Sequence, residues 1–518
     1  MPGAANTRQP QREALVFAIL PLPPSLVTVP SLRGALSKWI SANSPLSVSC
    51  RLTGKARHGR ASALFSESLL SHPLLTAPIG LSLLRLAGPT TGFMAVQIAV
   101  AIAETWFIAR LGGDALAGFA LVLPFLVLMH SMANGGMGGG VASALARALG
   151  GGHLEDARAL ALHALVLAAA FTLVFAILGW IVAPAFYRLM GGSGQALAHA
   201  FAFSDIVFGG CVVVWTSAFL AALLRGAGDA ATPGRIGVVM SIVYVPLAGV
   251  LTLGLGNWPG LGMAGPGLAG IVTMGGQTLV LARAVWHGRL GVVPRLQGVK
   301  LERRLFGEIL RVGVMGSFAT VVASLAAVLM TGLVGRFGTD ALAGYGVGVR
   351  LEYMVSPLAY GIGTGLTTLV GVAAGAQDFK RAVRVAWIGG LLAFASIGAI
   401  GWAAALLPEA WSRLFTTEPG VVDASVSYLT HVAPFYCLLG LGLALYFAGQ
   451  GAGRMTVPVM AGLVRVAVAT AGGWFAVEHM GLGLDGVFTA MAAGMAVYGC
   501  AIAGPLLVRP WRAPALRG

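Results

Sequence analysis

The stretch Ala101–Phe119, AIAETWFIARLGGDALAGF, decides how the rest of the chain is read. Glu104 is the only acid in its long apolar run, and the residues that follow it return much later. Ala109-Arg-Leu-Gly-Gly-Asp-Ala-Leu-Ala-Gly-Phe119 reappears 226 positions on as Gly335-Arg-Phe-Gly-Thr-Asp-Ala-Leu-Ala-Gly-Tyr345. A repeat at that distance in so apolar a chain marks duplicated halves. The same offset sets Met330 against Glu104, so the carboxylate belongs to one half only. That asymmetry points to where the chemistry lies.

The chain has 518 residues, 57% of them hydrophobic and 10% charged, with a mean hydropathy of +0.85. An ordinary globular domain carries about 25% charged residues, and no soluble fold could cover this much apolar surface with so little charge. The composition implies an integral membrane protein. Its apolar runs last about 20 residues, the length of a spanning helix, without the alternation of a barrel strand. The 75 glycines suit helices whose backbones approach closely inside a bilayer. The fold class is therefore all-α and polytopic.

Runs and breakers give twelve expected spans: 86–109, 114–138, 159–186, 200–223, 234–255 and 264–286, then 311–335, 340–362, 382–407, 424–448, 458–478 and 484–508. They form a six-helix half over 71–286, a polar linker over 287–310, a second half over 311–508 and a tail over 509–518. Residues 1–70 hold eight Lys/Arg and two acids without a sustained apolar helix. They read as a disordered basic segment or as sequence upstream of the true start, with a targeting peptide as the alternative.

With the N-terminus placed in the cytoplasm, inside loops and tail hold eighteen Lys/Arg, while outside loops hold Arg110, Arg188, Arg336 and Arg413. This positive-inside bias expects both termini in the cytoplasm of a cell (inner) membrane protein. It also accounts for the net charge of +15 without a nucleic-acid partner. Cys50, Cys211, Cys437 and Cys500 share no ligand spacing, and the histidines form no metal motif, so no metal site and no cofactor are expected.

Further echoes support the duplication. Gly138-Gly-Gly-Val-Ala-Ser-Ala-Leu-Ala-Arg-Ala-Leu-Gly150 parallels Gly363-Thr-Gly-Leu-Thr-Thr-Leu-Val-Gly-Val-Ala-Ala-Gly375, and Pro233 pairs with Pro458. Halves with an even number of spans enter from the same side, which makes the repeats parallel and places a ligand site between them.

These motifs, with Leu224-Arg-Gly-Ala-Gly-Asp-Ala-Ala-Thr-Pro233 before the fifth span, resemble the multidrug and toxic compound extrusion (MATE) family over essentially all of 73–508. The resemblance implies two pseudo-symmetric six-helix lobes set in a V, expelling lipophilic organic cations in exchange for H⁺ or Na⁺. It also implies a coupling carboxylate on the first span, usually Asp in a Val-Asp-Thr context. Here Ala103-Glu104-Thr105 stands in that place. Proton-coupled relatives carry an Asn and an Asp on the fifth span, where this chain has Ser241 and Val245 before Pro246. Sodium-coupled relatives carry acids on the seventh and tenth spans, where this chain has none, although Asp423 borders the tenth.

Glu104 leads the site candidates, because ionisable groups at membrane depth usually face a wet cavity and mark ion or substrate pathways. A proton and a cationic drug would compete for its one charge. A structural ion pair is the bland alternative. Gln97 lies on the same helical face and either lines the cavity or makes a packing hydrogen bond. Asp205 is either a second cation ligand or a solvated helix-start residue. Arg350 and Glu352 point to different faces of the eighth span, in structural or gating roles. Tyr345, Tyr353 and Tyr360 on that span could face a cation, with packing as their ordinary role. Asp114 and Asp340 read as helix caps. A monomer in contact with membrane lipids is expected. The competing function is a flippase for a lipid-linked or amphipathic substrate. A membrane-embedded enzyme lacks a nucleophile–base cluster here, and a nucleotide-driven pump lacks a GxxxxGK[ST] loop.

Overall fold

The computed structural model describes residues 73–289, 294, 298 and 300–511. The basic segment 1–70, much of the linker and residues 512–518 of the tail lie outside the described residues. Twelve spans follow in order among the described residues. The first half comprises α1 (Ile79–Ala109), α2 (Gly113–Gly150), α3 (Leu154–Leu189), α4 (Gly194–Gly209 with Cys211–Gly226), α5 (Ala231–Leu253) and α6 (Ala264–His287). The second half comprises α7 (Arg303–Gly335), α8 (Thr339–Gly375), α9 (Phe379–Leu406), α10 (Pro419–Gly451), α11 (Thr456–Glu478) and α12 (Gly483–Val508).

Each expected span has its helix, and the differences have local causes. α4 bends by 50° at Gly210, where a Cβ would meet Ile271 of α6 at 2.6 Å. A glycine pair that yields to a neighbouring side chain is a common source of a sharp kink. α2 and α8 run on through the glycine-rich echoes that hydropathy reads as span ends. Within α2, residues Met132–Met137 open into a π-helical turn, a local widening that recurs at functional positions. Asp114 and Asp340 are not caps. Gly112 (φ 113°) and Gly338 (φ 103°) take the cap positions, and each acid stands in the first turn, where it still meets the positive end of the helix dipole.

The glycine-rich echoes pack against each other. Gly150 of α2 lies so close to Val372 of α8 that a Cβ would sit 2.7 Å from the Val372 Cα, and Gly375 meets Arg147 at 2.8 Å in the same way. Positions 150 and 375 correspond in the repeat, as do 147 and 372. The contact is therefore reciprocal, as an isologous interface requires. In a bilayer no hydrophobic effect drives helices together, and close backbone packing replaces it.

Two helices cross between the cores. Leu83, Leu86 and Ala87 of α1 are buried in the core of the second half, while Leu305 and Ile309 of α7 are buried in the core of the first. Leu83 and Ile309 are again 226 positions apart. α7 begins at Arg303, eight residues before the expected start, because these extra turns carry that packing. They also carry Arg304, ion-paired to Asp156 at 2.6 Å, and Glu308, paired to Arg147 at 3.4 Å. The same end holds Gln450 Nε2 donating to the Gly135 carbonyl at 3.0 Å and Thr368 Oγ1 donating to the Arg225 carbonyl at 2.8 Å. These contacts join the halves at the end bearing Arg147, Arg225 and Arg454. Towards the other end the halves diverge around a cavity.

Candidate functional site

The cavity has a volume of about 1260 Å³ and is walled by both halves. Four charged side chains line it: Glu104, Arg225, Glu352 and Arg465, together with His130.

On the first-half wall, α1 runs parallel to α5 and is tied to it at two heights. Ser241 Oγ donates to Gln97 Oε1 at 2.8 Å, and Tyr244 Oη donates to Glu104 Oε1 at 2.7 Å. Gly234 and Gly237 let α5 close on Pro89 and Phe93 of α1 below these bonds. Glu104 is half-buried on the cavity wall. Among the described residues no Lys, Arg or His lies within ion-pair distance of it. It is a carboxylate with one hydroxyl donor and no counter-charge, facing open space. Its repeat mate Met330 is buried at 3% exposure on the opposite wall.

The second-half wall is built differently. Glu352 Oε1 lies 3.6 Å from Arg465 Nη2 of α11, and Tyr428 Oη donates to Glu352 Oε2 at 3.4 Å. The Arg465 guanidinium sits 5.6 Å over the Tyr498 ring. Tyr345 is buried against Tyr428 and Phe488, with ring centroids 5.7 and 6.4 Å away. Tyr353 faces the cavity and is 64% exposed. This acid is neutralised within its own half, whereas Glu104 is not.

The structure thus brings Gln97, Glu104, Tyr345, Glu352, Tyr353 and Tyr360 to one cavity. Two candidates lie elsewhere. Asp205 is exposed on the first segment of α4, and its neighbours Phe203 and Val207 line the cavity instead. Arg350 is exposed and stacks its guanidinium 5.1 Å from the Phe415 ring. Asp205 thus stands on the far side of its helix from the cavity, and Arg350 one residue past the lining Val349. Tyr244 was not singled out by the sequence, although it stands three residues after Ser241 and two before Pro246. Arg225 reads from the sequence only as a loop charge.

The pattern that defines the MatE family matches residues 89–250 and 317–475, one stretch in each half. The chain belongs to the MATE family. It is accordingly a multi-pass membrane transporter of a multidrug efflux family, not an enzyme. The probable multidrug resistance protein NorM of Thermotoga maritima is 25% identical over 421 residues, 79% of this chain and 88% of that one. The FAD transporter of Shewanella oneidensis is 25% identical over 73% of this chain and 83% of its own length. The fold matches a solved outward-facing multidrug resistance MATE family transporter of the MOP superfamily with a TM-score of 0.77, at 24% identity, over 84% of this chain and 96% of that one.

Proposed function

We propose that this MATE protein exports lipophilic organic cations in exchange for protons, with Glu104 as the group that holds each in turn. The observation that carries the reading is the Glu104 carboxylate: on a large cavity, hydrogen-bonded by Tyr244, and without a cationic partner. An ionised carboxylate at membrane depth is costly unless something compensates it. A bound cation does so by charge, and a proton does so by neutralisation. Because the two exclude each other, arrival of one favours release of the other, which is antiport in its smallest form.

The positive-inside bias supports placing the sealed end, with its basic loops, in the cytoplasm, together with both termini, in the inner membrane. The cavity then opens outward. A proton entering from outside would displace the drug from Glu104, and the emptied cavity would reload after the glycine seam parts and the outer mouth closes.

Proton is favoured over sodium because the Glu104 carboxylate has one hydroxyl donor, that of Tyr244, and no second free acid to join it: Glu352 is paired with Arg465, and Asp205 stands outside the cavity. The flippase reading gains no support, since the acids and arginines on the cavity wall are equal in number. Proteoliposomes loaded with ethidium and given either a pH gradient or a Na⁺ gradient test the proposal. It expects transport with the first and none with the second. Transport driven by Na⁺ alone would overturn the proton assignment.

A further inference from the structure

The two halves differ at the floor of the cavity as sharply as they differ at Glu104. In the repeat, Leu224-Arg-Gly-Ala-Gly228 corresponds to Gly449-Gln-Gly-Ala-Gly453, so Arg225 and Gln450 occupy equivalent places. Gln450 is 1% exposed and fully engaged: its Nε2 donates to the Gly135 carbonyl, and its Oε1 accepts from Thr367 Oγ1 at 3.3 Å. Residue 360 is the repeat mate of residue 135. The counterpart of the Gln450–Gly135 bond would therefore run from the Arg225 guanidinium to the backbone carbonyl of Tyr360.

That counterpart is unfulfilled. The guanidinium of Arg225 makes no hydrogen bond or ion pair among the described residues; its backbone carbonyl accepts from Thr368 Oγ1 and from the Gly228 N–H. The Tyr360 hydroxyl is buried without a partner. Arg225 and Tyr360 both line the main cavity, and both also line a water-sized void of about 10 Å³ directly beneath it. An unpaired guanidinium and an unpaired phenol at the bottom of a membrane cavity are costly where nothing answers them. A guanidinium fork matches a carboxylate or phosphate two bonds at a time.

We propose that Arg225 and Tyr360 form an anchor for an acidic group of the transported substrate, so that the cavity accepts amphipathic molecules bearing a carboxylate or phosphate, held acid end down. This deepens the exporter reading and rests on it for the substrate's use of this cavity. The anchor is separate from the Glu104 site. Gly234 packs on Pro89 near the floor, and Glu104 stands fifteen residues above Pro89 on α1, roughly 20 Å at 1.5 Å per residue. The cavity therefore has a cationic floor and an anionic upper wall. Short cations need only the upper wall, and acid-bearing substrates use the floor.

The test uses two dyes that differ only at one group. Rhodamine 123 is the methyl ester of rhodamine 110, whose free carboxylate makes it a zwitterion. Equilibrium binding of each to the purified full chain in detergent is followed by fluorescence anisotropy, for the wild type, Arg225→Gln and Arg225→Lys. The inference expects the wild type to bind both dyes. Arg225→Gln, which installs the residue of the other half, should weaken rhodamine 110 at least tenfold and leave rhodamine 123 within twofold; Arg225→Lys should retain most of the acid binding. Retained ester binding shows that the Gln variant is folded. A wild type that binds only the ester, or an Arg225→Gln variant that changes both dyes equally or neither, overturns the inference. Failure of a pH gradient to drive rhodamine 123 in proteoliposomes would count against the exporter reading and leave the binding comparison standing.

Discussion

Replacing Gly150 by alanine probes the seam that seals one end of the cavity. The added Cβ would lie 2.7 Å from both the Cα and the carbonyl carbon of Val372, and closer still to the carbonyl oxygen. Carbon atoms in good contact sit about 3.5–4.0 Å apart, so α2 and α8 must separate by roughly 1 Å. Neither side can yield by a rotamer change, because the obstacle is backbone. Forcing an extra methyl into a packed contact costs about 1–3 kcal/mol. The strain falls between the halves and not inside either core, so it acts on the conformation with the seam closed and leaves folding largely untouched. At about 2 kcal/mol it raises the population with the seam parted roughly thirtyfold relative to the sealed one. Spin labels at Glu155 and Lys380, at the exposed starts of α3 and α9, report the separation of the halves at this end by pulsed electron resonance in nanodiscs. The expected result is a longer-distance population that grows in Gly150→Ala and grows again when Gly375→Ala is added. An unchanged distance distribution in the double variant would refute the reasoning, since the reciprocal contact would then not hold the seam.

Other consequences follow from the same packing. Arg465→Met strands the Glu352 carboxylate; with both side chains about a quarter exposed, the discounted cost is about 1–2 kcal/mol. It should appear as a lower thermal midpoint in detergent, largely recovered by adding Glu352→Gln. Trp215→Ala empties a fully buried site between Phe171, at 4.9 Å, and Phe219, at 5.8 Å. A loss of about 3–5 kcal/mol is expected, read as reduced survival on size exclusion after mild heating. Gln450→Ala removes the Gly135 bond and should lengthen the Glu155–Lys380 distance in the same sense as Gly150→Ala.

Much of the architecture was legible because a bilayer enforces it. A span needs about 20 apolar residues and loop charge sets orientation, so twelve helices could be located from hydropathy alone. The ends of α2 and α8 were not, because Gly138–Gly150 and Gly363–Gly375 read as breakers by propensity. Tertiary packing keeps them helical, since only glycine admits the neighbouring backbone. The kink at Gly210 depends on where Ile271 falls, which no local pattern encodes. At the site, Glu104 stood out by its rarity in an apolar run. Tyr244 did not, because a tyrosine in a span is ordinary until its hydroxyl is seen on a carboxylate. Asp205 and Arg350 carry the right chemistry, but the turn of its helix points each away from the cavity. Arg225 was hidden differently: counted with the loops, it gains meaning only beside its satisfied repeat mate Gln450.

The central claim is that one uncompensated carboxylate exchanges a proton for a cation. Glu104→Gln keeps the size of the side chain and its ability to accept from Tyr244, while removing the charge and the titration. Ethidium transport by this variant in proteoliposomes under an imposed pH gradient is the most direct test, with size exclusion confirming the fold. The account predicts that gradient-driven transport is lost in a variant that still elutes as folded protein. Transport by Glu104→Gln at the wild-type rate would contradict it.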